Sequence, residues 1–382
     1  MMDSLEEIRT RIDDIDHRMI ELMMERMGCA EEVAAYKRAH ALPVMDRQRE
    51  RQLVAEAMAS VPDDLASPTA ALMNLLMETS RSRQRRLLGE RSRFRDELGA
   101  SLAHAVGPFP THAFVATQGV EGAFQQMACD RLFRHATLSY FDSFEGVFQA
   151  VEEGYCDFGV LPLENSTAGS VNKVYDLMMR HDFHIVRSCR MKIDHNLLAK
   201  PGCGLGDVTD IYSHEQAINQ CSSFLSGLRG VRVHVCENTA IASRMVAESE
   251  RGGAAALASR PCAELYGLDV LARNVQDQGN NYTRFACISK EPLVYPGADR
   301  SSLMLVVDHE PGALYKVLGK LYALDINIIK LESRPLPDRD FEFMFYFDVS
   351  CPASSPDFAR LLESLDEVCE DCRYLGSYVE VV

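Results

Sequence analysis

Arg26 interrupts a stripe that should be apolar. Alternate steps of three and four residues from Leu5 reach Ile8, Ile12, Ile15, Met19, Leu22, Arg26, Cys29, Val33 and Tyr36. That is the seam of a long, coiled-coil-like helix, and Arg26 is its one charged member. A charge buried without a partner costs several kcal/mol, so either the helix is exposed there or Arg26 meets an anion. Arg9 borders Ile8 and Lys37 borders Tyr36. Further on, Asp46, Arg49, Glu50, Leu53 and Val54 share one helical face. Leu72, Leu76, Ser80, Gln84 and Leu88 form a row at steps of four, with Ser80 and Gln84 breaking its apolar character. These groups are either internal salt bridges, such as Arg26 or Arg49 with Asp46 or Glu50, or the walls of an anion site. Cations exceed anions in the set, which favours a small ligand carrying more than one carboxylate, held by arginine forks. The set contains no nucleophile and no histidine, so its chemistry would be positioning and electrostatic stabilisation.

A second group of polar residues lies where strands give way to helices. "FGVLPLENSTAGSV" brings Glu164, Asn165, Ser166 and Thr167 to such a turn, "DIYSHEQAI" brings Ser213, His214 and Gln216, and "NNYTRFACIS" opens a strand with Thr283, Arg284 and Phe285. Ligands of open α/β sheets bind beyond strand carboxyl ends, yet Asn165 and Thr167 serve equally well as helix caps. "GCGLGD" has the wrong spacing for a dinucleotide loop, and no metal-ligand pattern such as HExxH occurs, so no metal and no cofactor is implied.

Three blocks must position these residues. Residues 1–90 are all-helical: a helix over Ser4–Ala39, a second starting at Asp46 and ending before Pro62, and a third capped by Ser67 with Pro68 at its first position. The long seam needs a partner, and a second copy of the chain would supply it. Residues 91–111 read as a linker; the arginine-rich run Arg81–Arg95 fits a solvated helix end. Residues 112–290 alternate strand-like and helix-like segments, an α/β pattern with a largely parallel sheet in what could be two lobes with a cleft. Residues 301–382 follow strand, helix, strand, strand, helix, strand, the α+β ferredoxin-like order.

The 382-residue chain is 47% hydrophobic and 25% charged, enough for more than one core. A net charge of −16 argues against nucleic acid or an anionic membrane surface as partner. No leader-like start and no apolar run long enough for a membrane span is visible. Twelve scattered cysteines fit reduced thiols of a cytoplasmic protein, and the Cys369–Cys372 pair reads as two unlinked thiols.

The motifs together are specific. "IRTRIDDID", "ELMMER", "YKR", "DRQRE" and "SRSRQ" resemble the helical chorismate mutase domain of bifunctional chorismate mutase/prephenate dehydratases. "GVLPLENSTAGSVNKVYDLM", "SHEQAINQC", "ALASRPCAELYGLDVL" and "NNYTRFACIS" resemble the dehydratase core, and "GAL" with "ESRP" resembles the phenylalanine site of an ACT domain. The resemblance implies an AroQ-type helical dimer, a two-lobed dehydratase domain like periplasmic binding proteins, and an ACT regulatory domain. It implies conversion of chorismate to prephenate, then decarboxylative dehydration to phenylpyruvate, with feedback inhibition by L-phenylalanine. Carried over by motif, Arg9 (from the partner), Arg26 and Arg49 contact carboxylates or the substrate's polar edge. Lys37 and Gln84 face the ether oxygen, and Asp46, Glu50 and Ser80 fix the ring hydroxyl and neighbouring groups. Thr283 is central to dehydration and Arg284 meets a carboxylate. Glu164, Asn165, Ser166, Thr167, Ser213, His214, Gln216 and Phe285 complete the prephenate site. Gly312, Ala313, Leu314, Glu332, Ser333 and Arg334 surround phenylalanine. "QGVEGAFQQMA" departs from the family pattern at Phe124 and Gln125. Other readings are a dehydratase preferring arogenate, or a non-catalytic amino-acid sensor with an inactive helical dimeriser.

Overall fold

The computed structural model describes residues 4–88, 99, 107–336 and 342–382. Most of the stretch assigned to the linker lies outside the described residues. The chain forms two compact units, Met1–Asp96 and Glu97–Val382.

In the first unit α1 spans Leu5–His40, α2 Arg47–Ala59 and α3 Asp63–Leu88. Ser4 and Glu7 form a capping box at the start of α1. Asp46 caps α2, its carboxylate accepting from the Arg49 backbone N–H at 3.0 Å. The expected start of the third helix is corrected: α3 begins at Asp63, and Pro68 lies inside it. Pro62 followed by Asp63 and Asp64 supplies an earlier start with acidic residues in the first turn. α3 packs on both α1 and α2. Toward the start of α1, the same stripe that carries Arg26 is uncovered in the single chain at Leu5, Ile8, Ile12, Ile15, Met19 and Leu22.

The second unit contains three sheets. The largest has the strand order β16-β5-β11-β3-β1-β2, with β4 paired to β3. Its strands are β1 (His112–Gln118), β2 (His135–Phe141), β3 (Phe158–Asn165), β4 (Gly169–Ser170), β5 (His184–Lys192), β11 (Tyr282–Ser289) and β16 (Glu380–Val381). The second sheet runs β10-β6-β9-β7-β8, from β6 (Asn196–Ala199), β7 (Asp210–Ser213), β8 (Arg232–Val235), β9 (Ala254–Ala258) and β10 (Asp269–Ala272). Two α/β lobes result, and neither sheet is largely parallel. β1 pairs parallel with β2 and β3, but β11 is antiparallel to both β3 and β5. The antiparallel strand arises because the chain leaves the first lobe after β5 and re-enters it along β11, so the crossovers at 193–195 and 273–281 lie side by side. There Val275 N–H donates to the His195 carbonyl at 2.9 Å.

The third sheet, β13-β14-β12-β15, is antiparallel. It comprises β12 (Arg300–Val306), β13 (Ile328–Pro335), β14 (Phe343–Val349) and β15 (Asp371–Tyr378). Helices Ala313–Ala323 and Pro356–Leu365 complete the ferredoxin-like order. Met304, Met344, Tyr346, Leu375 and Tyr378 share one core with Phe148, Tyr175, Met178 and Phe183 of the first lobe. Gly376, at φ +133°, lets β15 press on β5: a Cβ there would lie 2.1 Å from the Ile185 carbonyl oxygen. The chain then adds β16 to the first lobe's sheet, parallel to β5.

Candidate active sites

Of the polar groups that interrupt the apolar rows, the helical unit brings Arg26 to Ser80, with Gln84 one turn further along α3. Arg26 on α1 donates to the Leu76 carbonyl at 2.7 Å and to the Ser80 hydroxyl, one turn apart on α3. Ser80 and Gln84 are both buried, and no described group bonds the buried Gln84 Oε1. A buried amide end without a partner costs about 1–3 kcal/mol, so this wall suits a polar ligand group. Glu50 pairs with Arg81 on α3, not with Arg26 or Arg49. Lys37 donates to the Val44 carbonyl at 2.5 Å and is half-buried. Asp46 and Arg49 are exposed at the start of α2. Arg9 is exposed and lies on the same straight helix as Arg26, about 25 Å away at the ~1.5 Å rise of an α-helix. Within one chain Arg9 and Arg26 cannot touch the same small molecule.

In the second unit a cleft of about 450 Å³ is lined by Thr167, Ala168, His214, Glu215, Gln216, Asn219, Gln220, Gln276, Asp277, Gln278 and Asn281. Its wall is a continuous amide–hydroxyl network. Asn165 Nδ2 donates to Thr283 Oγ1 at 3.0 Å and to Asn281 Oδ1 at 2.7 Å. Asn165 Oδ1 accepts from the Thr167 and Ala168 backbone amides at 3.0 and 2.9 Å. Gln220 Nε2 donates to Thr167 Oγ1 at 2.8 Å, and Gln220 Oε1 accepts from Asn281 Nδ2 at 3.0 Å. Asn165, Asn281 and Thr283 are all buried. Because Thr283 Oγ1 accepts from Asn165, its own proton remains available to donate. His214 caps the short helix Glu215–Gln220 by accepting from the Gln216 N–H at Nδ1, 3.2 Å away. In its neutral form that leaves the ring's proton on Nε2.

Several expected contacts fall elsewhere. Thr283 faces Asn165 in the β11–β3 register, and Arg284 faces Glu164. Adjacent strand residues point to opposite faces, so Arg284 and Glu164 leave the sheet on the side away from Thr283. Arg284 is buried against Asp348 of the third sheet and lies 3.3 Å from Glu164. Glu164 also pairs with Lys330 at 2.7 Å. Neither residue lines the cleft, and among its described lining residues there is no arginine or lysine. Phe285 is buried in the first-lobe core with Val115, Val186 and Cys189. Ser213 is buried, donating to the Leu257 carbonyl at 2.7 Å. Ser166 ties its loop to the Asn280 carbonyl at 2.7 Å. Of the sequence candidates, Thr167, His214 and Gln216 line the cleft, with Asn165 and Thr283 behind them. Gln220 and Asn281 belong to the same network. Both lie inside the quoted motifs "SHEQAINQC" and "NNYTRF", but only the tertiary fold shows them burying their amides together.

A second cavity, about 370 Å³, is lined by Gly312, Ala313 and Leu314 together with Val307, Asp308, His309, Phe343 and Phe345, among others. Gly312 takes φ +85° at the start of its helix. Glu332 and Arg334 do not reach this cavity. They alternate onto the other face of β13, where Arg334 pairs with Asp176 at 2.8 Å and Glu332 accepts from Ser170. Ser333, between them, is exposed.

The folds and networks define a multidomain enzyme: an all-helical unit with a polar face at Arg26, Ser80 and Gln84, and a two-lobed α/β unit with a polar cleft. Residues 8–85 match the family chorismate mutase type II, and residues 115–293 match prephenate dehydratase. A bifunctional chorismate mutase/prephenate dehydratase of Aquifex aeolicus (strain VF5) is 31% identical over 381 residues, covering 99% of this chain and 98% of that protein. An arogenate dehydratase/prephenate dehydratase 2 of Arabidopsis thaliana is 36% identical over 276 residues, covering 69% of this chain and 72% of that one. The crystal structure of a prephenate dehydratase from Arthrobacter aurescens in complex with L-Phe is similar at TM-score 0.64 and 26% identity, covering 70% and 89%. The chain belongs to the bifunctional chorismate mutase/prephenate dehydratase family.

Proposed function

We propose that the chain rearranges chorismate to prephenate in its helical unit and converts prephenate to phenylpyruvate in the interlobe cleft. The observation that carries this reading is the Asn165–Thr283–Asn281–Gln220 network on the cleft wall, together with a helical unit in which the partly buried Arg26 meets Ser80, and Ser80 and Gln84 are buried.

The rearrangement forms one carbon–carbon bond as one carbon–oxygen bond breaks, with no covalent intermediate. Arg26 and Lys37 balance the dianion, and Lys37 and Gln84 face the ether oxygen, where negative charge develops. Gln84 with its amide turned over offers an N–H there, since amide orientation is fixed by the partner present. Ser80, Glu50 and Asp46 take the ring hydroxyl side, with Arg49 at the polar edge. A second copy, docked along the exposed α1 seam, brings Arg9 to the pocket. Dehydration breaks the bond to the ring carboxylate, releasing carbon dioxide, and its electrons enter the ring as hydroxide departs. Thr283 donates to that hydroxyl while Asn165 holds the threonine oxygen. Threonine is too weak an acid to do more than orient and polarise. Amide and hydroxyl donors, with His214 Nε2–H, take the carboxylates in place of Arg284.

The carboxyl-terminal module is an ACT domain that senses L-phenylalanine at the Gly312–Ala313–Leu314 cavity, and the protein works in the cytoplasm. Incubating purified protein with chorismate, and following prephenate and phenylpyruvate with and without phenylalanine, tests the whole scheme. No phenylpyruvate from supplied prephenate would sink the dehydratase assignment. The Arabidopsis relative's name favours one second reading, turnover of arogenate. Competing the two substrates at equal concentration decides it.

A further inference from the structure

We infer that His195 is a positioning residue of the dehydratase site, acting through Gln220. The inference rests on the dehydratase reading above. His195 sits on the outgoing crossover between the two lobes and is 3% exposed. Its backbone N–H donates to Gln276 on the returning crossover at 3.0 Å, so the residue is anchored where the lobes join. Its ring meets Phe124 of the first lobe edge-on, centroids 5.7 Å apart. The ring's Nε2 lies 3.0 Å from Gln220 Oε1.

Gln220 is saturated. Its Nε2 reaches Thr167 Oγ1 and Asn165 Oδ1, at 2.8 and 3.3 Å. Its Oε1 receives Asn281 Nδ2 at 3.0 Å and the His195 ring. An amide oxygen only accepts, so His195 must carry its proton on Nε2. Turning the Gln220 amide over would set oxygen against Asn165 Oδ1 and nitrogen against the Asn281 Nδ2 donor. With Asn281, His195 therefore fixes which end of Gln220 faces Thr167 and Asn165, and Asn165 in turn holds Thr283. The other ring nitrogen, Nδ1, is buried with no described partner. Burial lowers the imidazole's pKa; the Gln220 hydrogen bond and nearby Asp194 oppose this, and His214 adds to it. A neutral ring with its proton on Nε2 agrees with both observations.

The test uses the full chain, with kcat and KM for prephenate measured beside mutase activity, whose residues lie in the other unit. His195→Leu removes the donor, and His195→Gln keeps a non-titrating N–H at similar reach. Leaving a buried carbonyl one donor short costs about 1–3 kcal/mol, or roughly 5- to 150-fold in rate at tenfold per ~1.4 kcal/mol. The expected result is a kcat loss in that range for His195→Leu, with KM nearly unchanged and most of the loss recovered in His195→Gln. Wild-type kcat in His195→Leu, or equal loss in the two folded variants, overturns the inference. Should His195→Leu not fold, the side-chain nitrogen NMR shifts of His195 in the wild-type chain decide the point. Protonated Nε2 and bare Nδ1 at neutral pH support the inference, and the reverse tautomer overturns it. Absence of any turnover by the wild type would instead overturn the dehydratase reading and leave the tautomer measurement standing.

Discussion

Arg284 and Asp348 join the strand that carries Thr283 to the third sheet, and both are buried, at 3% and 0% exposure. Asp348 is further held by Ser302 and by Tyr378, whose hydroxyl lies 3.1 Å from it. Removing Asp348 leaves the buried Arg284 with only the half-exposed Glu164 3.3 Å away, and breaking a buried pair costs about 3–5 kcal/mol. Asp348→Ala should therefore lower the urea unfolding free energy of the second unit by about that much. The double variant Arg284→Met with Asp348→Leu should recover most of it, because neither charge is then stranded. A double variant that is worse than the two single losses added together would show that the ion pair is not the operative contact.

Arg26→Ala should reduce mutase turnover by at least about a hundredfold, and Gln84→Ala by a similar factor, as expected for losing one charge-stabilising donor at about 3 kcal/mol. Both variants should dehydrate supplied prephenate at close to the wild-type rate, since both substitutions lie in the other compact unit. Assaying each variant with chorismate and with prephenate separates the two effects. Parallel loss of both activities would point to unfolding instead.

Thr283→Val keeps shape and removes the hydroxyl that Asn165 holds. Dehydratase kcat should fall by about 10²-fold or more, the usual scale for a positioned donor to a leaving group, while Thr283→Ser retains measurable turnover. Steady-state kinetics on prephenate read the difference, with mutase activity as the internal control. Equal rates in the valine and serine variants would remove Thr283 from the chemistry.

Helical periodicity made part of the helical unit's packing legible. Steps of three and four placed Arg26 in the seam and Ser80 and Gln84 in one row, and Arg26 does bond Ser80. Pro68 misled because local cap signals compete, and Pro62 with two aspartates provides the earlier start. In the second unit, "NNYTRF" pointed to Thr283 through its resemblance to the dehydratase core, but local sequence does not say what lies on each face of a strand. Asp348 is 64 residues beyond Arg284, and nothing near "TRF" reveals that a buried carboxylate will claim the arginine. Gln220 and Asn281 stayed hidden for the same reason, as their partners are brought in by the two crossovers.

Burial of His195 predicts a signature in pH. Its folded pKa is lowered, whereas the unfolded value is about 6.5. Between those two values the unfolded chain binds more protons, so His195's contribution is complete above pH ~6.5 and is lost as pH falls toward the folded value. Burial lowers His184 likewise, so wild-type stability should fall on acidification for more than one reason. The difference between wild type and His195→Gln isolates the one residue. Urea unfolding at pH 7.5 and 5.5 should show the wild type losing more stability than the variant over that interval. Equal losses would mean that folding does not lower the His195 pKa.

The uncovered stripe of α1 carries the last prediction. Ile12, Met19 and Leu22 are 50%, 50% and 61% exposed in the single chain, on the repeat that a helical partner would cover. Exposed apolar stripes of this length mark association surfaces, and Arg9 lies too far along α1 to serve the pocket at Arg26 in its own chain. Ile12→Glu, or Leu22→Glu, places a carboxylate in the seam and should yield a smaller species by sedimentation. Mutase activity should fall with dissociation and return at high protein concentration, since mass action repopulates the assembled form. Dehydration of supplied prephenate should be insensitive to concentration over the same range. Mutase activity that persists undiminished in a demonstrably monomeric variant would mean that one chain holds a complete pocket, and that Arg9 has no part in it.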